Sequence, residues 1–146
     1  MKRISIRHVN AFTTAAYSGN PAGVVPDARG LSEETMQLIA RELAMSETAF
    51  VLPSTIKIAG LQIRWFTPAT EVPLCGHATI AAFHTLAEEG MYGMRQNGTY
   101  RFAVQTKSGV LRVIVEKRTR GTTIEFQLPV PAFSVSRKTP RALLQA

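Results

Sequence analysis

The chain has 146 residues, of which 45% are hydrophobic, and a formal net charge of +7. That length fits about one domain with a core of its own. The composition excludes a disordered chain, and no apolar run reaches the roughly 20 residues of a membrane-spanning helix. One cysteine excludes an internal disulfide, and no apolar leader follows Met1-Lys2-Arg3, so the expected compartment is the cytoplasm.

In chain order, Ile4 to Phe12 alternates and reads as a strand. Ser18-Gly-Asn-Pro-Ala-Gly23 reads as a turn-rich loop, and Val24-Val25 as the start of a short strand. Ser32 is a good helix N-cap, with Glu33 and Glu34 in the first turn and Leu31 and Met36 at hydrophobic-staple spacing. Met36, Ile39, Ala40 and Leu43 then make one apolar stripe, which predicts an amphipathic helix from Glu33 to Ala44. Thr48 to Leu52 and Leu61 to Phe66 read as strands, the second stopped by Thr67-Pro68.

From Gly76 to Glu89 the pattern is helical and apolar nearly all round, so this helix must be enclosed, with Gly90 placed to end it. Three alternating segments follow, Tyr100–Thr106, Val110–Glu116 and Thr123–Leu128, joined by hairpin turns at Ser108-Gly109 and Thr119-Arg-Gly121. Pro129-Val-Pro131 breaks the last one. About six or seven strands with two main helices, one of them buried, predict an α+β lobe in which a curved antiparallel sheet wraps a central helix.

Charge is unevenly spread. Residues 1–90 carry seven Lys/Arg against eight Asp/Glu, whereas residues 91–146 carry ten against two. The basic residues lie in strand-like segments, with no basic helical stripe and no recognisable nucleic-acid module, so nucleic acid is not the expected partner. A solvated face, or a face meant for a partner, accounts for the bias.

Chemistry concentrates in Glu71-Val-Pro-Leu-Cys-Gly-His-Ala-Thr79, which holds the only cysteine and a histidine two places on, at the head of the apolar helix. Backbone N–H groups there favour anions, such as a substrate carboxylate. Cys75 reads two ways: a thiol made acidic by the helix N-terminus, or a small buried hydrophobe. His77 reads as a neutral imidazole able to donate and accept one hydrogen bond each, or as a ring satisfied by nearby backbone. His84 reads as structural and His8 as a surface or edge residue. Glu47, between a helix end and a strand start, reads as a partly desolvated general base or as a plain surface carboxylate. One Cys and one His two apart do not make a metal site, and none is expected.

Taken together, Val9-Asn-Ala-Phe12, Ser18-Gly-Asn-Pro-Ala-Gly-Val-Val25, Leu38-Ile-Ala-Arg-Glu-Leu43, Ser46-Glu-Thr-Ala-Phe50, Ile63-Arg-Trp-Phe-Thr-Pro68 and Glu71-Val-Pro-Leu-Cys-Gly-His-Ala-Thr79 resemble, in order and spacing, the PhzF-type phenazine-biosynthesis-like family, relatives of diaminopimelate epimerase. The resemblance implies two similar lobes, each a sheet rolled around a central helix, with the active site between them. It implies an isomerase or epimerase that needs no cofactor and moves a proton between carbons of a small, amino-acid-like carboxylate. Glu47 matches the family's proton-transferring glutamate, Gly76 and His77 its Gly-His pair, and Cys75 the cysteine that heads the helix in the epimerase relatives. Asn20 looks like a cleft-lining residue, and the backbone of Gly76, His77 and Ala78 like a carboxylate cradle. Family members are longer by about a whole second lobe. The resemblance therefore implies a first lobe over residues 1–131, with 132–146 as a basic tail toward the missing half. A non-catalytic lobe that pairs with itself or with a second-lobe chain is the alternative.

Overall fold

The computed structural model describes residues 3–15 and 17–128; the expected break at Pro129 to Pro131 and the tail at 132–146 lie outside them. The elements are β1 (Arg7–Ala11), β2 (Asn20–Val25), α1 (Glu33–Leu43), β3 (Glu47–Leu52), β4 (Leu61–Phe66), β5 (Glu71–Val72), α2 (Gly76–Glu88), a 3-10 turn (Met91–Gly93), β6 (Gly98–Thr106), β7 (Gly109–Arg118) and β8 (Gly121–Phe126). One eight-stranded sheet runs β1-β2-β3-β4-β6-β7-β8, with β5 added on β4. It curls around α2, the α+β lobe expected from the sequence.

The sheet is mixed where a purely antiparallel one was expected: β2 and β3 are parallel, as are β4 and β6. The two helices are the reason. Parallel neighbours need a crossover, and α1 supplies the first while α2 lies within the second. The crossovers take opposite sides of the sheet. Met36 and Ala40 of α1 pack with Val25, Phe50 and Phe66 on the outer face. Ala78, Ala81, Ala82, Phe83 and Leu86 of α2 pack with Ala22, Val24, Ala49, Val51, Leu61, Ile63 and Trp65 on the inner face. Strands β2 and β3 are thus covered on both faces and buried in succession from Ala22 to Val25 and from Thr48 to Val51, whereas β4, with Gln62 and Arg64, and β6 to β8 alternate.

Local chemistry sets the helix ends. Ser32 Oγ accepts from the Thr35 N–H at 3.1 Å and Ala44 closes α1 in the left-handed region. At the far end of α2, Lys117 Nζ donates to the carbonyls of Ala87 at 2.5 Å and Met94 at 2.9 Å. One more reading from sequence needs correction. Asn20-Pro-Ala-Gly23 is strand, not loop: it pairs with β1 throughout and, from Ala22 on, with β3 as well, so long-range pairing outweighs its turn-like composition. Glu71–Val72 is a short strand held against Trp65 and Phe66. Among the described residues no helix is long and apolar enough to cross a membrane.

Candidate active site at the head of the central helix

The period of two along β3 decides where Glu47 faces. Ala49 and Val51 belong to the inner cluster around α2, while Phe50 belongs to the outer cluster under α1. Glu47 shares the parity of Ala49 and Val51, so it faces inward, at the end of the strand where α2 begins. Its parallel neighbour is Ala22, also inward. Asn20 lies two residues before Ala22, which puts it on the same face at the exposed rim.

The Glu47 Oε2 atom lies 3.4 Å from His77 Nε2, and the other ring nitrogen, Nδ1, lies 3.4 Å from Cys75 Sγ. Ser46 Oγ is 3.2 Å from Nε2 and within reach of the Pro21 carbonyl at 3.3 Å. With Ser46 donating to Pro21, the Nε2–H of His77 faces Ser46 and Glu47, and Nδ1 accepts from the Cys75 thiol. A thiol, an imidazole and a carboxylate therefore form one cluster. The histidine side chain is 10% exposed and the glutamate 22%, sheltered yet reachable from solvent.

The two readings of Cys75 are resolved by burial. The residue is 9% exposed. Burial pushes its thiol up to about 11, and the nearby Glu47 charge adds to the rise; backbone N–H groups of Ala78 and His77 offset it only in part. The acidic thiol expected at a helix N-terminus is not formed, because desolvation of the thiolate outweighs the helix end. Near neutral pH Cys75 is therefore held as the neutral thiol.

The α2 N-terminus itself is open. Cys75 occupies the cap position and makes no side-chain cap bond, in contrast to Ser32 on α1. A Cβ added at Gly76 would touch only the Phe126 ring, at an ordinary 3.6 Å. Packing therefore does not demand glycine there; its absent side chain leaves the helix end accessible. Ala78 is fully buried and its N–H turns toward the sulfur. His84, one and a half to two turns on, is partly exposed beside Ile80 in a groove between β1 and β8 and is not part of the cluster. Ser46 went unnoticed as a site residue in the sequence, although it directly precedes Glu47. The β1–β2 loop at this end of the sheet exposes Phe12 and Tyr17, both with positive φ.

Residues 9–145 match the family described as "Phenazine biosynthesis-like protein". The "Uncharacterized isomerase YddE" of Escherichia coli O157:H7 is 41% identical over 143 residues, covering 97% of this chain and 46% of that protein. The "Uncharacterized isomerase YfhB" of Bacillus subtilis is 38% identical over 133 residues, covering 91% and 43%. Among solved structures, a Bacillus anthracis phenazine biosynthesis protein of the PhzF family superposes with a TM-score of 0.73 at 38% identity, over 86% of this chain and 40% of that one. A hydroxyproline epimerase from Agrobacterium vitis, solved with trans-4-hydroxy-L-proline, shares the fold at a TM-score of 0.61 and 13% identity, over 83% and 40%. The chain spans about half the length of the curated relatives it matches. With its curled sheet, its central helix and a match over nearly its whole length, this chain belongs to the phenazine biosynthesis-like protein family.

Proposed function

We propose that this chain is the first lobe of a cofactor-independent isomerase or epimerase that moves a proton between carbons of a small, amino-acid-like carboxylate, cyclic or open-chain. The observation that carries the reading is the inward-facing Glu47 carboxylate, 3.4 Å from His77 at the head of an uncapped central helix. In this reading Glu47 takes a proton from a carbon next to an electron-withdrawing group. The electron pair left behind spreads into that group, and the protonated Glu47 returns the proton at the other carbon or face. His77 orients the carboxylate through Nε2–H, and the Gly76 and His77 N–H groups hold the substrate's carboxylate. Ala78 contributes mainly through Cys75, at which its N–H is aimed. Asn20 borders the entrance. The names of the isomerase relatives support the general reaction class.

A proton transfer of this kind needs a dry site, and here the end bearing Glu47 is open. A second lobe would close it; the proposed first lobe runs over residues 1–131, of which 3–15 and 17–128 are described above. The test is solvent deuterium incorporation into a panel of small cyclic and open-chain amino acids. The isolated chain should exchange slowly, and Glu47→Gln should cut the rate by about 10²- to 10⁴-fold. Exchange at the same rate in Glu47→Gln rules the reading out.

A second reading, an assembly lobe that pairs with itself or with another chain, is favoured by Phe12 and Tyr17, exposed at the rim of the site. Light scattering at high concentration tests it: a mass of one chain removes self-pairing.

A further inference from the structure

We infer that Glu47, Cys75 and His77 form a binding site for a single thiophilic divalent cation of the Zn2+ type. The candidate ligand atoms of the three side chains all lie within 4.8 Å of one another. Glu47 Oε2 lies 3.4 Å from His77 Nε2, and Cys75 Sγ 3.4 Å from His77 Nδ1, so whichever ring nitrogen holds the ion already has one partner at that distance. Neighbouring ligands of a tetrahedral zinc ion, with bonds of about 2.0–2.3 Å, sit about 3.5 Å apart. Side-chain shifts on the order of an ångström, with the ion on one ring nitrogen of His77, therefore bring all three ligands to bonding distance.

The donor set selects the metal. Sulfur, imidazole nitrogen and carboxylate oxygen suit Zn2+, whereas Mg2+ and Ca2+ seek oxygen cages. Three protein ligands leave the fourth position open toward solvent at the head of α2, for water or for an anion. In the sequence, Cys75 and His77 offer only two ligands; the third arrives from β3 through the fold. Binding involves no redox change. The Cys75 S–H bond breaks, its proton goes to solvent, and an S–metal bond forms.

This inference stands on ligand geometry and not on the isomerase reading, although both use the same side chains. The metal-stripped chain is titrated with Co2+ and then with Zn2+. The expected result is a thiolate-to-Co(II) charge-transfer band with tetrahedral visible bands, bleached by stoichiometric Zn2+. Cys75→Ser should abolish the band. His77→Gln and Glu47→Gln should weaken Zn2+ binding, measured against a chromophoric chelator, by about tenfold or more. Far-UV circular dichroism checks the folding of each variant, with Cys75→Ala in reserve if the serine variant is unfolded. No charge-transfer band in the wild-type chain, or unchanged Zn2+ affinity in any one folded variant, overturns the site. Metal binding without deuterium exchange, or exchange without metal binding, sinks one reading and leaves the other standing.

Discussion

Arg64 grips Glu71 through two parallel N–H···O bonds of 2.7 and 2.8 Å, fastening β5 to β4 a few residues before Cys75. The same guanidinium reaches Glu33 on α1 at 2.7 Å, and Lys107 from the β6–β7 turn donates to Glu71 at 3.0 Å. Four segments are thus tied into one ion-pair network around Arg64 and Glu71, and the chain enters α2 from a fixed point. Glu71, the first residue of the most informative stretch in the sequence, has structural contacts: it fastens β5, from which the chain runs through Pro73 and Leu74 to Cys75 at the head of α2.

Replacing Glu71 by Gln should cost about 1–3 kcal/mol in urea unfolding, since it leaves a half-buried guanidinium with a poorer partner. Arg64 holds the Glu71 carboxyl below its ordinary value of 4.5, against the opposing effect of burial, with Lys107 adding to the lowering. Its contribution to stability is therefore complete above the unfolded value and is lost as pH falls through the lower folded one. Stability curves of the wild type and of Glu71→Gln should begin to converge as pH falls below about 4.5 and meet only below the lower folded value; a gap that stays constant through that range would contradict this.

The Cys75 thiol should alkylate slowly with iodoacetamide near neutral pH, and the rate should climb toward the folded value of about 11. Because the Glu47 charge contributes to that rise, Glu47→Gln should shift the pH–rate profile to lower pH. A shift the other way, or none, would show that the carboxylate and the sulfur do not face each other.

Thr48 is fully buried, and its Oγ1 has no hydrogen-bond partner among the described residues. Thr48→Val keeps the shape and removes the orphan hydroxyl, so it should raise stability by about 1 kcal/mol. Gly23→Ala should do the reverse, by about 1–3 kcal/mol, because the new methyl would lie 2.7 Å from that oxygen and 3.1 Å from Leu43 at the end of α1. Melting temperatures of the two variants moving in opposite directions is the check.

Lys117 acts as the C-terminal cap of α2 through Ala87 and Met94. Lys117→Met keeps the aliphatic stem but leaves those carbonyls without their cation, and should cost about 1–2 kcal/mol. Hydrogen exchange should then quicken in the last turn of α2 while exchange in the first turn, at the site, is unchanged.

Much of the fold was readable where the cause is local. Ser32 caps α1 as its hydroxyl suggests, Leu61 to Phe66 is the strand its residue types imply, and the apolar girth of Gly76 to Glu88 marks a helix that must be enclosed. The site was readable only as a set of candidates. Glu47, Cys75 and His77 stood out by type and by family resemblance, and Ser46 did not.

What the amino-acid order determined by itself, then, is what near neighbours control: caps, periodicities, and the residue types gathered at the head of α2. The tertiary structure decided the rest, because the deciding forces act between segments far apart in the chain. Pairing with β1 throughout, and with β3 from Ala22 on, made a strand of Asn20 to Gly23. Strand parity, referred to a helix on one particular face, turned Glu47 inward. Burial, which no sequence neighbour imposes, raised the Cys75 thiol where a helix N-terminus alone would have lowered it.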